Sequence, residues 1–288
     1  MNPDCTVLVT SCDAYRDVEG PFLRLFRKYW PDCPFELVVN GETSAVEGFD
    51  RAIFSGRGKT WSQMLVEALD QIATPYVIML MNDYYLESAV DTALLLRRLD
   101  EAKEKDALNY RLCPNPPRAV KNTAYAISCK AGIWNRAFLR DLAARTKSAW
   151  EFERYGSFEV GGESRPILAT VEKEFPFVDA VHKGCWETWG VECLKTNGIE
   201  FDFAKRGLPS ASTRFKEAVK LSWPGDKPSD KMPKCRFKLE TSMIEEENPA
   251  DKRPMVLTDA IQVIECTWVR ELDGAFRDQA GTLTGYDG

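Results

Sequence analysis

Two short stretches of the sequence carry side chains able to do chemistry. In YVIMLMNDYYL (residues 76–86), six core-type residues run straight into Asn82 and Asp83, and Tyr84 and Tyr85 follow. An isolated Asp after a strand often does no more than shape a turn. A carboxylate delivered to a strand end between aromatic neighbours can also hold a divalent cation through oxygen. In SAWEFERYGS (residues 148–157), Glu151 and Glu153 flank Phe152. They point opposite ways in an extended segment and splay by about 200° on a helix, so only one of them faces a given pocket. Carboxylates also suit a solvated helix start. Trp150, Phe152 and Tyr155 nevertheless make the stretch aromatic enough to read as the wall of a sugar-binding site.

Other tempting patterns fall away. GRGKT (residues 56–60) precedes a helical segment, but a phosphate-binding P-loop needs Gly where Ile53 stands. Arg57 and Lys59 can still meet a ligand phosphate from that loop. His182, Cys185 and Cys193 lack the tight Cys pair and the fourth ligand of a structural zinc site, and the zinc-deaminase spacing is absent. His182 is the single histidine and no G-x-S-x-G elbow accompanies it, which argues against Ser-His-Asp hydrolysis.

The elements that must position these residues alternate in type. TVLVT (residues 6–10) reads as a buried first strand opening into the polar loop SCDAYRD. A helix is expected to start at Gly20-Pro21, with Phe22, Leu23, Phe26 and Trp30 on one face, and to stop at Pro31. FELVVN (35–40) and RAIF (51–54) read as strands two and three. Thr60 and Gln63 form a capping box ahead of a helix with an apolar stripe from Met64 to Ile72, which Pro75 ends. The strand at 76–81 comes next, then a helix over 90–105 and a strand-like ALNYRL. Uninterrupted apolar strands alternating with helices imply an α/β, mostly parallel, Rossmann-like sheet with helices on both faces. Ligands in such sheets sit at the carboxyl ends of the strands, which is where Asn82 and Asp83 fall.

With 288 residues, of which 44% are hydrophobic, the chain can bury a sizeable core. Its net charge of −6, from 38 basic and 44 acidic residues, argues against a broad phosphate-binding face. Nine cysteines without a C-x-x-C pair, and no signal peptide ahead of Cys5, are read as reduced thiols of a cytoplasmic protein. No apolar run is long enough to span a bilayer. Composition changes after about Trp223, where Pro, Asp and Lys become frequent. Residues 1–223 are therefore read as the main domain. Residues 224–288 are read as a C-terminal extension packed on it, with a strand or two in CRFKLE and MVLTDAIQVIECTWV and a frayed end.

Taken in order, VTSCDAYRD, PFLRLFRKYWPDCPFELVVNGE, KTWSQMLVEALDQIATPYVIMLMNDYYL, SAWEFERYGS and AVHKGCW resemble bacterial glycosyltransferases of surface-polysaccharide loci, which have a GT-A type fold. The resemblance covers roughly residues 7–203. It implies a nucleotide-diphosphate sugar donor whose diphosphate is gripped through Mn²⁺ or Mg²⁺. It maps base and ribose contacts to Thr10, Ser11, Asp13 and Tyr15, with Lys59, Trp61 and Asn82 also on the donor side. Asp83 becomes the carried-over metal ligand and His182 a second one. The family commonly has two acids where this chain has Asn82-Asp83, so one charge is lost. Glu153, favoured over Glu151, would be the general base of an inverting transfer, and Lys183 would stabilise the departing diphosphate. The acceptor implied is a hydroxyl of a surface glycan, or of a modified base in DNA, which the acidic net charge disfavours. A non-catalytic nucleotide-sugar or glycan-binding module with a degenerate metal site is the alternative. A nucleotidyltransferase ranks lower, because the N-terminal G-x-G-rich loop is missing.

Overall fold

A computed structural model describes residues 2–114 and 126–208, and the backbone of the strands between 235 and 281. The chain divides into two compact units, Met1–Leu208 and Pro209–Gly288.

In the first unit seven strands make one sheet. These are β1 (Cys5–Thr10), β2 (Glu36–Gly41), β3 (Arg51–Phe54), β4 (Tyr76–Met81), β6 (Asn109–Arg111), β7 (Gly132–Asn135) and β8 (Ile167–Ala169). Their order is β3-β2-β1-β4-β7-β6-β8. Only β7 runs against its neighbours, antiparallel to both β4 and β6. A two-stranded ribbon pairs β5 (Tyr84–Leu86) with β9 (Phe177–Asp179), and β10 (Val181–His182) and β11 (Cys185–Trp186) form a hairpin.

Alternation along the strands explains why both faces are covered. Cys5, Val7 and Val9 of β1, with Tyr76, Ile78 and Leu80 of β4, enter one core with α1 (Arg16–Tyr29) and α3 (Thr92–Glu104). Leu8, Val77 and Met79 enter the other, with α2 (Trp61–Asp70), α4 (Arg136–Ala144) and α5 (Ala149–Glu159). A period of two splits the residues of each strand between two apolar layers. The α/β, mostly parallel, Rossmann-like architecture is as expected.

Local details agree where the signal is local. Strands β3 and β4 occupy the anticipated residues, and Thr60 and Gln63 close both bonds of the capping box of α2. One boundary needs correction. α1 begins at Arg16, not at Gly20-Pro21, because a 3₁₀ turn at Asp13–Tyr15 leads directly into it. Pro21 therefore lies in the second turn, where its missing N–H forfeits only the bond to the Asp17 carbonyl.

The second unit contains the antiparallel sheet β12-β15-β16 (Cys235–Thr241, Ile261–Leu272, Ala275–Gly281) and the hairpin of β13 (Ile244–Glu247) and β14 (Pro254–Leu257). Strands were expected in CRFKLE and in MVLTDAIQVIECTWV. The Pro- and Lys-rich stretch at 223–234 and the chain end at 282–288 lie outside the described residues. Among the described residues no helix is long and apolar enough to cross a membrane, and the seven described cysteines are unbridged.

Candidate functional site

The carboxyl ends of β1, β2 and β4 come level. Thr10 stands opposite Asn40 on one side and Met81 on the other. The loop after β1 is stitched to both neighbours, since Ser11 N donates to Asn40 O (2.9 Å) and Asn82 N to Thr10 O (3.1 Å). Thr10 itself turns inward and donates to Leu80 O at 3.4 Å.

Asn82 is buried, and its amide is spent on this loop. Nδ2 donates to Ser11 Oγ at 2.8 Å and to Tyr15 O at 3.0 Å. Ser11 in turn donates to the buried Glu19, whose other oxygen accepts Val46 N at 2.9 Å. The residue expected on the donor side is thus a fastener. It also explains the missing acid, because a carboxylate at position 82 would face the Tyr15 carbonyl with no hydrogen to offer.

Asp83, the next residue, is placed differently. No side chain among the described residues donates to its carboxylate, and its own carbonyl accepts Ala180 N at 2.8 Å. Burial first, and then the Asp179 carboxylate, push its pKa up from 3.8 to about 7, against a hydrogen bond from its own backbone and the pull of Lys130 and Arg206. Asp179 reaches this place because β5 and β9 pair Tyr84 with Asp179. It is ion-paired with Lys130, whose ammonium also lies 5.5 Å from the Tyr84 ring centroid. Trp189, half exposed, donates its indole N–H to Asp179 O at 2.8 Å.

On the far side of Tyr84 stands Glu153. Tyr84 donates its hydroxyl to Cys129 O at 3.1 Å, while Cys129 N and Ser128 Oγ both donate to Glu153 Oε1, at 2.7 and 3.1 Å. The Oε2 oxygen accepts no bond among the described residues. Of the two conformations left open for segment 148–157 the structure shows a helix, capped by Ser148, and the helix separates its two carboxylates as the period demands. Glu151 faces solvent and accepts Lys147 N at 2.8 Å as part of the helix cap. The aromatic wall needs correction, since Phe152 is a core residue packed edge-on to Trp61 (5.5 Å between centroids). Trp61, expected against the donor, belongs to that apolar layer. Trp150 alone stands well exposed.

Asp13 is held by Thr43 and Arg16, and those bonds, led by the Thr43 hydroxyl, keep its pKa low. Lys59 pairs with Glu67. His182 and Lys183 lie in the β10–β11 hairpin, whose tight turn places Lys183 and Gly184 at φ 49° and 83°, the left-handed pair of a type I′ turn. Tyr15 is half-buried between this turn and Asp83. Burial and the Asp83 charge raise its pKa, while Arg206 and a bond to the Gly184 backbone oppose that rise. Four residues missed by sequence reasoning therefore shape the surroundings of Asp83 and the loop after β1: Asp179, Lys130, Arg206 and Glu19. Each arrives through long-range contact that no local pattern announces.

Among the described residues no three His, Cys, Asp or Glu side chains gather into a metal cage. An open cleft of about 710 Å³ runs along residues 169–174 and the start of α3, and it shares no lining residue with the Asp83 cluster.

No known family matches the sequence, and no curated protein does. Solved structures similar in fold include S. aureus TarS 1-349, with 16% identity and a TM-score of 0.42 over 60% of this chain and 59% of that one. The same protein in complex with UDP-GlcNAc aligns at 14% identity and 0.43, over 70% and 69%. A third, 2-C-methyl-D-erythritol 4-phosphate cytidylyltransferase from Thermus thermophilus, aligns at 13% and 0.44, over 67% and 98%. The chain thus spans 59% of the length of TarS 1-349.

Proposed function

We propose that the chain is a nucleotide-sugar-dependent glycosyltransferase that passes a sugar to an acceptor hydroxyl with inversion. The observation that carries this reading is Asp83, a largely enclosed carboxylate at the carboxyl end of β4 with no side-chain donor. It is flanked by the loop after β1 on one side and by Asp179 and Lys130 on the other, with Glu153 beyond Tyr84. In open α/β sheets this rim is where ligands bind.

The residues fit a hard divalent cation. Such ions accept one or two carboxylates and complete their shell with substrate phosphate oxygens and water, so no closed protein cage is required. Asp83 would hold Mn²⁺ or Mg²⁺, with Asp179 as the second carboxylate in place of the expected His182. When bound, the cation would supply charge neutralisation for the donor diphosphate. Lys130, and Lys183 from the hairpin, add positive charge on the leaving-group side.

Glu153 is the base in this reading. Its Oε1 is fixed by Cys129 N and Ser128 Oγ, which leaves Oε2 to take the proton of an incoming hydroxyl. The hydroxyl oxygen forms the new bond to the anomeric carbon as the bond to the diphosphate breaks. Trp150, three residues before Glu153, and Trp189, beside Asp179, offer exposed aromatic faces to a glycan acceptor.

Incubating the protein with UDP-, GDP- and dTDP-sugars and Mn²⁺, and following slow donor hydrolysis, tests this. The expected result is turnover with one donor class that is lost in Asp83→Ala with circular dichroism unchanged. In Glu153→Gln, transfer to acceptor should fall by about 10²–10⁴-fold. Turnover indifferent to Asp83→Ala would sink the proposal, and binding without turnover would make the protein a nucleotide-sugar-binding module.

A further inference from the structure

Arg206 is far along the chain from the residues it holds, and its side chain is only 5% exposed. Its Nε and Nη2 donate to the two carboxylate oxygens of Asp17 at 2.8 and 2.6 Å, a forked pair. Nη2 also donates to Ala14 O at 2.9 Å, and Nη1 to Gly184 O at 3.4 Å. The guanidinium carbon sits 4.3 Å from the centroid of the Tyr15 ring and 5.9 Å from that of Trp186. Its own segment is fastened in turn, since Trp186 N donates to Gly207 O at 2.8 Å.

These contacts fall on two segments. Ala14, Tyr15 and Asp17 belong to the loop after β1 and the start of α1, and Gly184 and Trp186 belong to the β10–β11 hairpin. The first segment borders Asp83, and the hairpin follows directly on Ala180, whose N donates to Asp83 O at 2.8 Å. Tyr15 feels its charge, and Asn82, beside it, holds the Tyr15 carbonyl. Four of the five guanidinium N–H groups are committed to these bonds, so Arg206 has little left to offer a ligand. Its geometry suits holding other groups in place.

We propose that Arg206 is a positioning residue of the donor site, a clamp that fixes the loop after β1 and the β10–β11 hairpin against one another beside Asp83. The functional consequence rests on the glycosyltransferase reading, while the clamp itself stands on the contacts. A lysine keeps the charge but cannot reproduce a planar fork over an aromatic ring, so charge and clamp can be separated experimentally.

The test uses the full chain and two readouts. In Arg206→Lys, hydrogen–deuterium exchange should rise at least about tenfold at amides of residues 11–17 and 181–187 together, while β1 and β4 stay protected. In the same variant the dissociation constant for the nucleotide that the wild type binds (UDP, GDP or dTDP) should rise about tenfold or more. Turnover at saturating donor should change less than about threefold, the split expected when a binding site is loosened but its chemistry is kept. Unchanged exchange in both segments overturns the clamp whatever the nucleotide result. Altered exchange with unchanged nucleotide affinity overturns its role at the donor site. A wild-type chain that binds none of the three nucleotides overturns the transferase reading, and the exchange result then still decides the clamp. Should Arg206→Lys fail to fold, exchange of the unmodified protein in low denaturant decides it. The two segments should open as one unit, and independent opening would refute the clamp.

Discussion

Carboxylates at neighbouring strand ends of this sheet live under opposite conditions. After β1, Asp13, Asp17 and Glu19 are each saturated: Asp13 by Thr43 and Arg16, Asp17 by Arg206 and Lys205, Glu19 by Ser11 and Val46 N. After β4, Asp83 is enclosed beside a second carboxylate with no side-chain donor of its own. Burial pushes Asp17 up, but its bonds from Arg206 and Lys205 outweigh that and hold it below 3.8, whereas nothing comparable restrains Asp83. Saturated acids fasten a scaffold. An enclosed acid with no side-chain donor, beside a second carboxylate, raises the free energy of the folded protein, and on the proposed reading a bound cation would lower it again, which is how a binding site would differ from a brace.

The same substitution should therefore have opposite effects at the two places. Asp17→Asn removes the partner of a buried guanidinium, and breaking a buried pair from one side costs about 3–5 kcal/mol. Urea denaturation at pH 7 measures it. A loss below about 1 kcal/mol would show that water or another acceptor readily replaces the carboxylate.

Asp83→Asn should cost little stability at pH 5 and gain some at pH 8. The folded pKa, about 7, is above the ordinary 3.8, so the folded state holds the proton more tightly than the unfolded one. That contribution is fully present below about pH 4 and is lost as pH rises through 7. Relative to wild type, the Asn variant should therefore become more stable across pH 5–8, while donor turnover is abolished. Mn²⁺ should raise the wild-type midpoint at pH 8 and leave that of the variant unchanged. A difference between variant and wild type that is flat with pH would contradict a carboxylate that burial and Asp179 push up.

Asn82→Asp tests the border between the two regions. It restores the acidic pair that the resemblance leads one to expect, yet here the new carboxylate would oppose the Tyr15 carbonyl and surrender both amide donors. A loss of about 1–3 kcal/mol is expected, with donor turnover reduced because the loop after β1 is loosened. Better metal binding with undiminished stability would mean that position 82 is a ligand site after all.

What the sequence made legible follows from the range of each interaction. β4 and its delivery of Asp83 could be read because six consecutive apolar residues bounded by Pro75 and Asn82 leave little else to form. The Thr60–Gln63 box could be read because both of its bonds lie within one turn. Asp179, Lys130 and Arg206 could not, since β5–β9 pairing and a guanidinium fork spanning 189 residues create their environment. Trp61 and Phe152 show the converse failure. Aromatic residues near polar ones look like ligand contacts until the fold packs them edge to face against the core. Asn82 was visible as a departure from a pattern, but its reason, two hydrogens given to Ser11 and Tyr15, belongs to the folded loop alone.

The smallest effect is expected where the sequence left two acids open. Glu151 and Glu153 lie on one helix, but only Glu153 is aimed at Cys129 and Ser128, beneath the Tyr84 hydroxyl. Glu151 sits in the first turn, accepts Lys147 N and faces water. Replacing it with Gln keeps an acceptor for that amide and removes one negative charge from a helix N-terminus. The expected cost is about 0.3–1 kcal/mol, and it should shrink as salt is added. The same denaturation series in low and high salt measures it. The decisive comparison is with Glu153→Gln in the transfer assay, because exposure and capping explain Glu151 completely without chemistry. If Glu151→Gln lost transfer as severely as Glu153→Gln, the base would have to be assigned to the solvent face of α5, and the route from Asp83 through Tyr84 and Cys129 to Glu153 would be only a structural seam.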